Sequence, residues 1–268
     1  MATTEEIHAA QSHLRRRLVE SWPIKPGHKV LEIGCGQGDM TEVLAEAVGP
    51  QGHVTAVDIA DPSYGAPLTL AEATNIIRKS KVGQRIDFRF NFNVLDAAIQ
   101  FDPNSFDAIV MAHSSWYFAS PALLSLTLEK MRPWAKQLFF AEWDLQLHHE
   151  SQLAHFMAIT IQKQVEALRT ESSSNVRTPL SKPEFEAVLK RAGWEIRSEK
   201  RIDSPALQDA DWEISTCLST SLTLARDLST DQVFIGNIEK QLAQLRQVAL
   251  TEKNRALSCY SLVARRPD

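Results

Sequence analysis

Val30-Leu31-Glu32-Ile33-Gly34-Cys35-Gly36-Gln37-Gly38-Asp39-Met40 is the stretch that decides the fold. An apolar run passes into glycines at alternate positions and then into helix-like sequence from Met40. Glycines so spaced let the backbone turn sharply and approach a ligand more closely than a Cβ permits. The ligand is therefore expected at the carboxyl end of the first strand. A dinucleotide fingerprint, GxGxxG, needs a third glycine where this chain has Asp39. A carboxylate there repels a pyrophosphate at a helix N-terminus, but tolerates a ligand that carries positive as well as negative charge.

Outward from this loop, short β-branched or aromatic runs alternate with helical stretches, the pattern of βαβ units and a parallel sheet. The first two strands are predicted at 29–33 and 53–57, with a helix over 40–48 stopped by Gly49-Pro50. A third runs over 86–92, with Ile86, Phe88, Phe90 and Phe92 on one face. A fourth, over 106–111, follows the turn-like Asp102-Pro103-Asn104-Ser105, and a fifth covers 137–142. Helices over 68–80 and 121–131 fill the gaps.

Beyond Glu142 the pattern turns helical, over 150–170 and 205–253, and strands are predicted only at 194–201 and 256–264. A helix over 182–192 closes at Gly193, and a Ser-rich loop occupies 171–179. The expected fold is α/β: a doubly wound, mostly parallel, seven-stranded Rossmann-like sheet with helical cap insertions. It is read as one domain over 1–268, with a cofactor-binding half at 1–145 and a helical cap plus the last two strands at 146–268. A chain of 268 residues is long enough for that architecture.

A net charge of −4 argues against a phosphate-backbone partner. The runs Arg15-Arg16-Arg17 and Arg78-Lys79 are read as solvated helix faces. Cys35, Cys217 and Cys259 are widely spaced and fit neither a disulfide framework nor a zinc site. No run approaches the roughly 18 apolar residues of a membrane span. These features lead to the expectation of a cytoplasmic protein with a small-molecule substrate, no metal, no nucleic-acid partner and no membrane partner. The helix over 231–250 carries Val233, Ile235, Ile238, Leu242 and Leu245 at helical spacing, a core-facing stripe rather than a dimer seam.

Glu32-Ile33-Gly34-Cys35-Gly36-Gln37-Gly38 resembles motif I of the class I S-adenosylmethionine-dependent methyltransferases. The resemblance implies that the glycine loop, with Gly34, Cys35, Gly36 and Gly38, lies against the methionine part of S-adenosylmethionine, with Glu32 anchoring the site. A second family feature is an acid ending the second strand and holding the ribose hydroxyls. Asp58 supplies it at the spacing of a βαβ unit, followed by Ile59. The adenine-reading segment is less regular: Asn93-Val94 is favoured and Asp96 is the alternate, since either side-chain oxygen can accept from the amino group.

Phe106-Asp107 also resembles the family pattern, and the end of that strand places Ala112 and His113 beside the methyl group. Methyl transfer is an in-line displacement that needs proximity and a dry site more than acid–base chemistry. His113 is the candidate base, its bland alternative being a hydrogen bond to a neighbouring loop. Trp116, Tyr117 and Trp143 form a candidate acceptor wall, for which ordinary packing is the competing reading. Glu142, Asp144, His148 and His149 are the other polar groups near that edge. The amphipathic helix over 11–22 could bring His13 or Arg17 to the ligand, a solvated outer helix being the competing reading. The expectation is a small-molecule methyltransferase. A protein that keeps the cofactor pocket without transferring methyl, as in secondary metabolism, is the alternative.

Overall fold

The computed structural model describes residues 4–172, 174–205, 207–251 and 254–267. Its sheet joins β1 (Lys29–Ile33), β2 (His53–Val57), β3 (Ile86–Arg89), β4 (Ala108–Ala112), β5 (Gln137–Trp143), β6 (Glu195–Ile202) and β7 (Cys259–Arg265). The order is β3-β2-β1-β4-β5-β7-β6, and only β7 runs antiparallel to its neighbours. The chain order reverses between β1 and β4, so the carboxyl ends of these two strands border the crevice where open α/β sheets bind ligands.

Strand side chains alternate between two layers, as the period of two requires. Val30, Val54, Ala56, Val110 and Phe139 face one core, with α1 (Thr4–Glu20) and α2 (Asp39–Val48). Leu31, Val57, Ile109, Met111 and Phe140 face the other, with α4 (Pro121–Met131) and α6 (Lys182–Arg191). The remaining helices are α3 (Leu70–Arg78), α5 (Leu153–Glu166), α7 (Asp209–Leu228) and α8 (Gln232–Thr251). Of these, α5, α7 and α8 pack on one another and close over the first layer.

Local deviations from the sequence reading have physical causes. The third strand ends at Arg89, because Asn91 adopts φ 53 and breaks the alternation. Phe92 therefore joins the layer opposite Ile86 and Phe88. Phe106 makes only an isolated bridge to Ala135 ahead of β4. In α8, Ile235, Ile238, Leu242 and Leu245 are buried as the stripe reading requires, whereas Val233 in the first turn is exposed.

The N-terminal helix is amphipathic: Leu14, Leu18 and Val19 are buried, whereas His13 and Arg16 on the outer face are exposed. Its arginines are held by the protein's own groups. Arg15 pairs with Asp39 at 3.1 Å, Arg16 with Glu46 at 3.7 Å, and Arg17 donates to the Asp203 carbonyl at 2.5 Å. The three cysteines are free and buried. Among the described residues no helix is long and apolar enough to cross a membrane.

Candidate active site

Three elements converge at the carboxyl edge of the sheet. Gly34, at φ 78, follows β1, and a Cβ there would lie 2.5 Å from the Ser114 Cβ. The backbone after β1 thus runs against the backbone after β4, and Ser114 Oγ donates to the Ile33 carbonyl at 3.1 Å. Gly36, at φ 51, has no atom within 4 Å of its would-be Cβ, so this part of the loop borders open space. Gly38, at φ 90, precedes α2. The buried Cys35 thiol is raised by burial first and by the Glu32 and Asp58 carboxylates next, and so stays protonated.

Asp58 lies just past β2 and ties the loop to it. Its Oδ2 accepts from the Gly36 N–H at 2.8 Å and its Oδ1 from the Ala60 N–H at 2.9 Å. Each oxygen keeps a second lone pair. Ile59 beside it is 69% exposed, a large apolar side chain left at the edge of the crevice. Glu32 is buried and accepts from Thr41 Oγ1 at 2.6 Å. Burial raises its carboxyl to about 7, the Thr41 bond opposes this, and the Asp58 charge adds to it.

Phe92 N–H donates to the Asp58 carbonyl at 2.9 Å, which sets Asn93 next to the Asp58 turn. Asn93 is exposed, its Oδ1 accepting from Leu95 N–H, while Val94 is buried. Asp96 sits farther along, its Oδ1 turned to Ala98 N–H and its carbonyl bound by Lys130 of α4. Of the two adenine candidates, Asn93 directly follows the residue bonded to Asp58.

Ala112 closes β4, and His113 follows in left-handed backbone, φ 51. The imidazole lies 4.8 Å from the Trp143 ring. Its Nδ1 is 3.3 Å from Glu142 Oε1, off the line of a hydrogen bond and without another partner, and its Nε2 contacts Cys259 Sγ at 3.7 Å. Glu142 is buried, and its Oε2 accepts from Ser115 Oγ at 2.7 Å and from Ser115 N–H at 3.3 Å. His113 thus stands between a fixed buried carboxylate and the Trp143 ring.

The aromatic candidates separate. Trp116 is buried with Ile159, Val176 and Leu257, its indole N–H unpartnered. Trp143 is half-buried between His113 and His155. Tyr117 stands at the rim, 46% exposed, with Tyr64, Glu142, Glu213 and Asp58 in electrostatic reach. Asp144 and His148 pair with each other at 2.9 Å, and no group that could hold a metal occurs among the described residues.

Sequence reasoning passed over the acids of α7. Asp209 Oδ2 is buried without a partner, and Glu213, one turn on, accepts from Gln162 Nε2 at 2.8 Å. Burial raises both carboxyls, opposed for Asp209 by the charges of His113 and Arg15 and for Glu213 by the Gln162 bond. No local motif marks these residues. The signal was only an i, i+4 acidic pair opening a helix, which commonly means an N-terminal charge preference.

The comparisons with known proteins agree with this geometry. A family model described as a methyltransferase domain matches residues 30–137. Methyltransferase phomM' of Diaporthe leptostromiformis is 30% identical over 213 residues, 63% of this chain and 54% of that protein, so the chain spans about half the length of the curated relatives it matches. A solved cyclopropane-fatty-acyl-phospholipid synthase-like protein from Lactobacillus casei is 32% identical with TM-score 0.87, over 99% of this chain and 94% of that one. The cyclase SpnF shares the fold at TM-score 0.58, covering 96% of this chain and 80% of its own, with 14% identity. The chain belongs to the class I S-adenosylmethionine-dependent methyltransferases, and S-adenosylmethionine is the cofactor of that family.

The residues present fit this cofactor. The loop opens onto space at Gly36. The carboxylates of Glu32 and Asp58 stand at adjacent strand ends, and the exposed Ile59 can cover a flat ring.

Proposed function

We propose that the protein transfers a methyl group from S-adenosylmethionine to a small molecule and that its sheet edge is the active site. The observation that carries this reading is the Gly36 N–H to Asp58 hydrogen bond, which locks the glycine loop to the acid at the end of β2 while Gly36 faces open space.

In this reading Glu32 anchors the amino acid end through the loop of Gly34, Cys35, Gly36 and Gly38. Asp58 accepts from the ribose hydroxyls, with Ile59, Asn93 and Val94 around the adenine and Ala112 beside the reacting carbon. S-adenosylmethionine, when bound, supplies an electrophilic methyl carbon activated by a sulfonium. His113 orients the acceptor and takes the proton it releases at Nε2, the nitrogen turned away from Glu142, whose buried carboxylate beside Nδ1 orients the ring and stabilises the charge formed. Trp143 and Tyr117 wall the acceptor, and the buried Trp116 backs them. Residues 1–268 act as one domain, with the helices after 146 covering the acceptor.

The acceptor is read as a metabolite rather than a polymer, since the helices close over the first layer beside His113. The name of the Lactobacillus casei neighbour would suggest an acyl chain. The polar lining of the groove described below does not suit one. SpnF shares only the fold at this identity, so the non-transferring alternative is not favoured.

Calorimetric titration with S-adenosylmethionine and S-adenosylhomocysteine tests the reading. Micromolar binding lost in Asp58→Ala supports it; no binding to the folded parent protein overturns it.

A further inference from the structure

Resting on that reading, we infer that the groove between α5 and α7 receives a protonated amine of the acceptor, so that the substrate is an elongated, amine-bearing molecule whose reactive atom lies under His113. The groove encloses about 290 Å³ and is lined by Gln162, Glu166, Asn175, Glu213, Thr216 and Thr220, among others. Glu213, Thr216 and Thr220 form one stripe of α7, which continues toward the site through Asp209, one turn before Glu213. Asp209, which is not itself among the lining residues, is close enough to His113 for their charges to interact, so the stripe on α7 runs from the groove toward His113.

Two independent observations point to a cation. Glu166 keeps only 6% of its side chain exposed. Its Oε1 is held by Arg169 at 3.1 Å, while its Oε2 has no donor. A buried carboxylate oxygen without a donor is costly, and an ammonium supplies donors and charge together. Glu213 adds a second carboxylate whose one identified donor is the neutral Gln162 amide. Arg169, the one cation that lines the groove among the described residues, is engaged by Glu166 and donates to the Glu171 carbonyl at 3.2 Å. The groove thus holds two carboxylates against one committed guanidinium, with Asp209 adding a third acid nearby. A neutral apolar chain would leave these groups unpaired and gain little from the hydroxyl and amide lining.

The test titrates the full chain, with and without S-adenosylhomocysteine, with 1,6-diaminohexane, 1-aminohexane, 1-hexanol and hexanoate. The amines are expected to bind at least ~10-fold tighter than hexanol, the worth of one charge-assisted hydrogen bond, and hexanoate not to bind. Glu213→Gln and Glu166→Gln each weaken amine binding by ~10-fold. Thr216→Lys, at an exposed position that leaves the core untouched, abolishes it. S-adenosylhomocysteine affinity stays within about twofold in all three variants, because none touches the glycine loop. Equal binding of hexanol and the amines, or unchanged amine binding in Thr216→Lys, overturns the inference. Absence of S-adenosylhomocysteine binding would instead sink the methyltransferase reading while leaving the amine titration decisive for the groove.

Discussion

The two sides of the crevice are built in opposite ways. On the side proposed for the cofactor, Glu32, the glycine loop and Asp58 come from one βαβ unit, and the bonds that hold the two acids, Gly36 N–H to Asp58 and Thr41 to Glu32, span 22 and 9 residues. On the side proposed for the acceptor, His113, Glu142, Glu213 and Cys259 come from four separate segments, and His113 meets Cys259 across 146 residues of chain. The difference teaches that a site assembled by local geometry leaves a spacing in the sequence, whereas one assembled by packing leaves only residue types.

The sharpest way to break this comparison is at the loop. Gly34→Ala would force a Cβ onto Ser114 and an unfavourable φ, and is expected to destabilise the fold by about 4 kcal/mol. Gly36→Ala, with the strain but no clash, should cost about 1 kcal/mol. Urea unfolding of the pair measures it, and equal losses would mean that loop and β4 are not in contact.

Asp58→Ala should weaken S-adenosylhomocysteine by about 100-fold in calorimetry, the loss of two hydrogen bonds to a charged group. Its stability should change less than that of Gly34→Ala.

Glu32 gives the cofactor side a pH dependence. Its carboxyl is raised to about 7 from an ordinary 4.5, so the unfolded chain ionises first as pH rises. The stability contribution is complete below about 4.5 and is lost as pH climbs through about 7, up to about 3 kcal/mol in total. Glu32→Gln should flatten that slope between pH 5 and 7.5 in urea unfolding; an unchanged slope would assign it to other groups.

On the acceptor side, His113→Gln is expected to lower kcat about 10-fold or more with cofactor affinity unchanged. A matching loss of cofactor affinity would move His113 to the other side of the comparison. The smallest effect belongs to Arg15→Ala. Its pair with the exposed Asp39 is worth at most about 0.5 kcal/mol in thermal unfolding.

The strands of the sheet and the glycine loop after β1 were legible because period-two burial and alternate glycines are written residue by residue. The third strand was read three residues too long, since nothing in Phe90-Asn91-Phe92 announces that Asn91 turns left-handed. The N-terminal helix reads as amphipathic, and it buries Leu14 and Leu18 while His13 and Arg16 stay exposed. Its arginines suggested solvent until their partners Asp39, Glu46 and the Asp203 carbonyl were in place.

The sequence by itself determined the parallel sheet, the loop after β1 and the acid after β2, because backbone sterics and strand periodicity act over a few residues. Only the tertiary structure decided that Glu142 stands behind His113 and that Glu213 and Glu166 share a groove. Those meetings depend on how α5 and α7 pack over the sheet, and electrostatics between distant segments follows packing, not order along the chain.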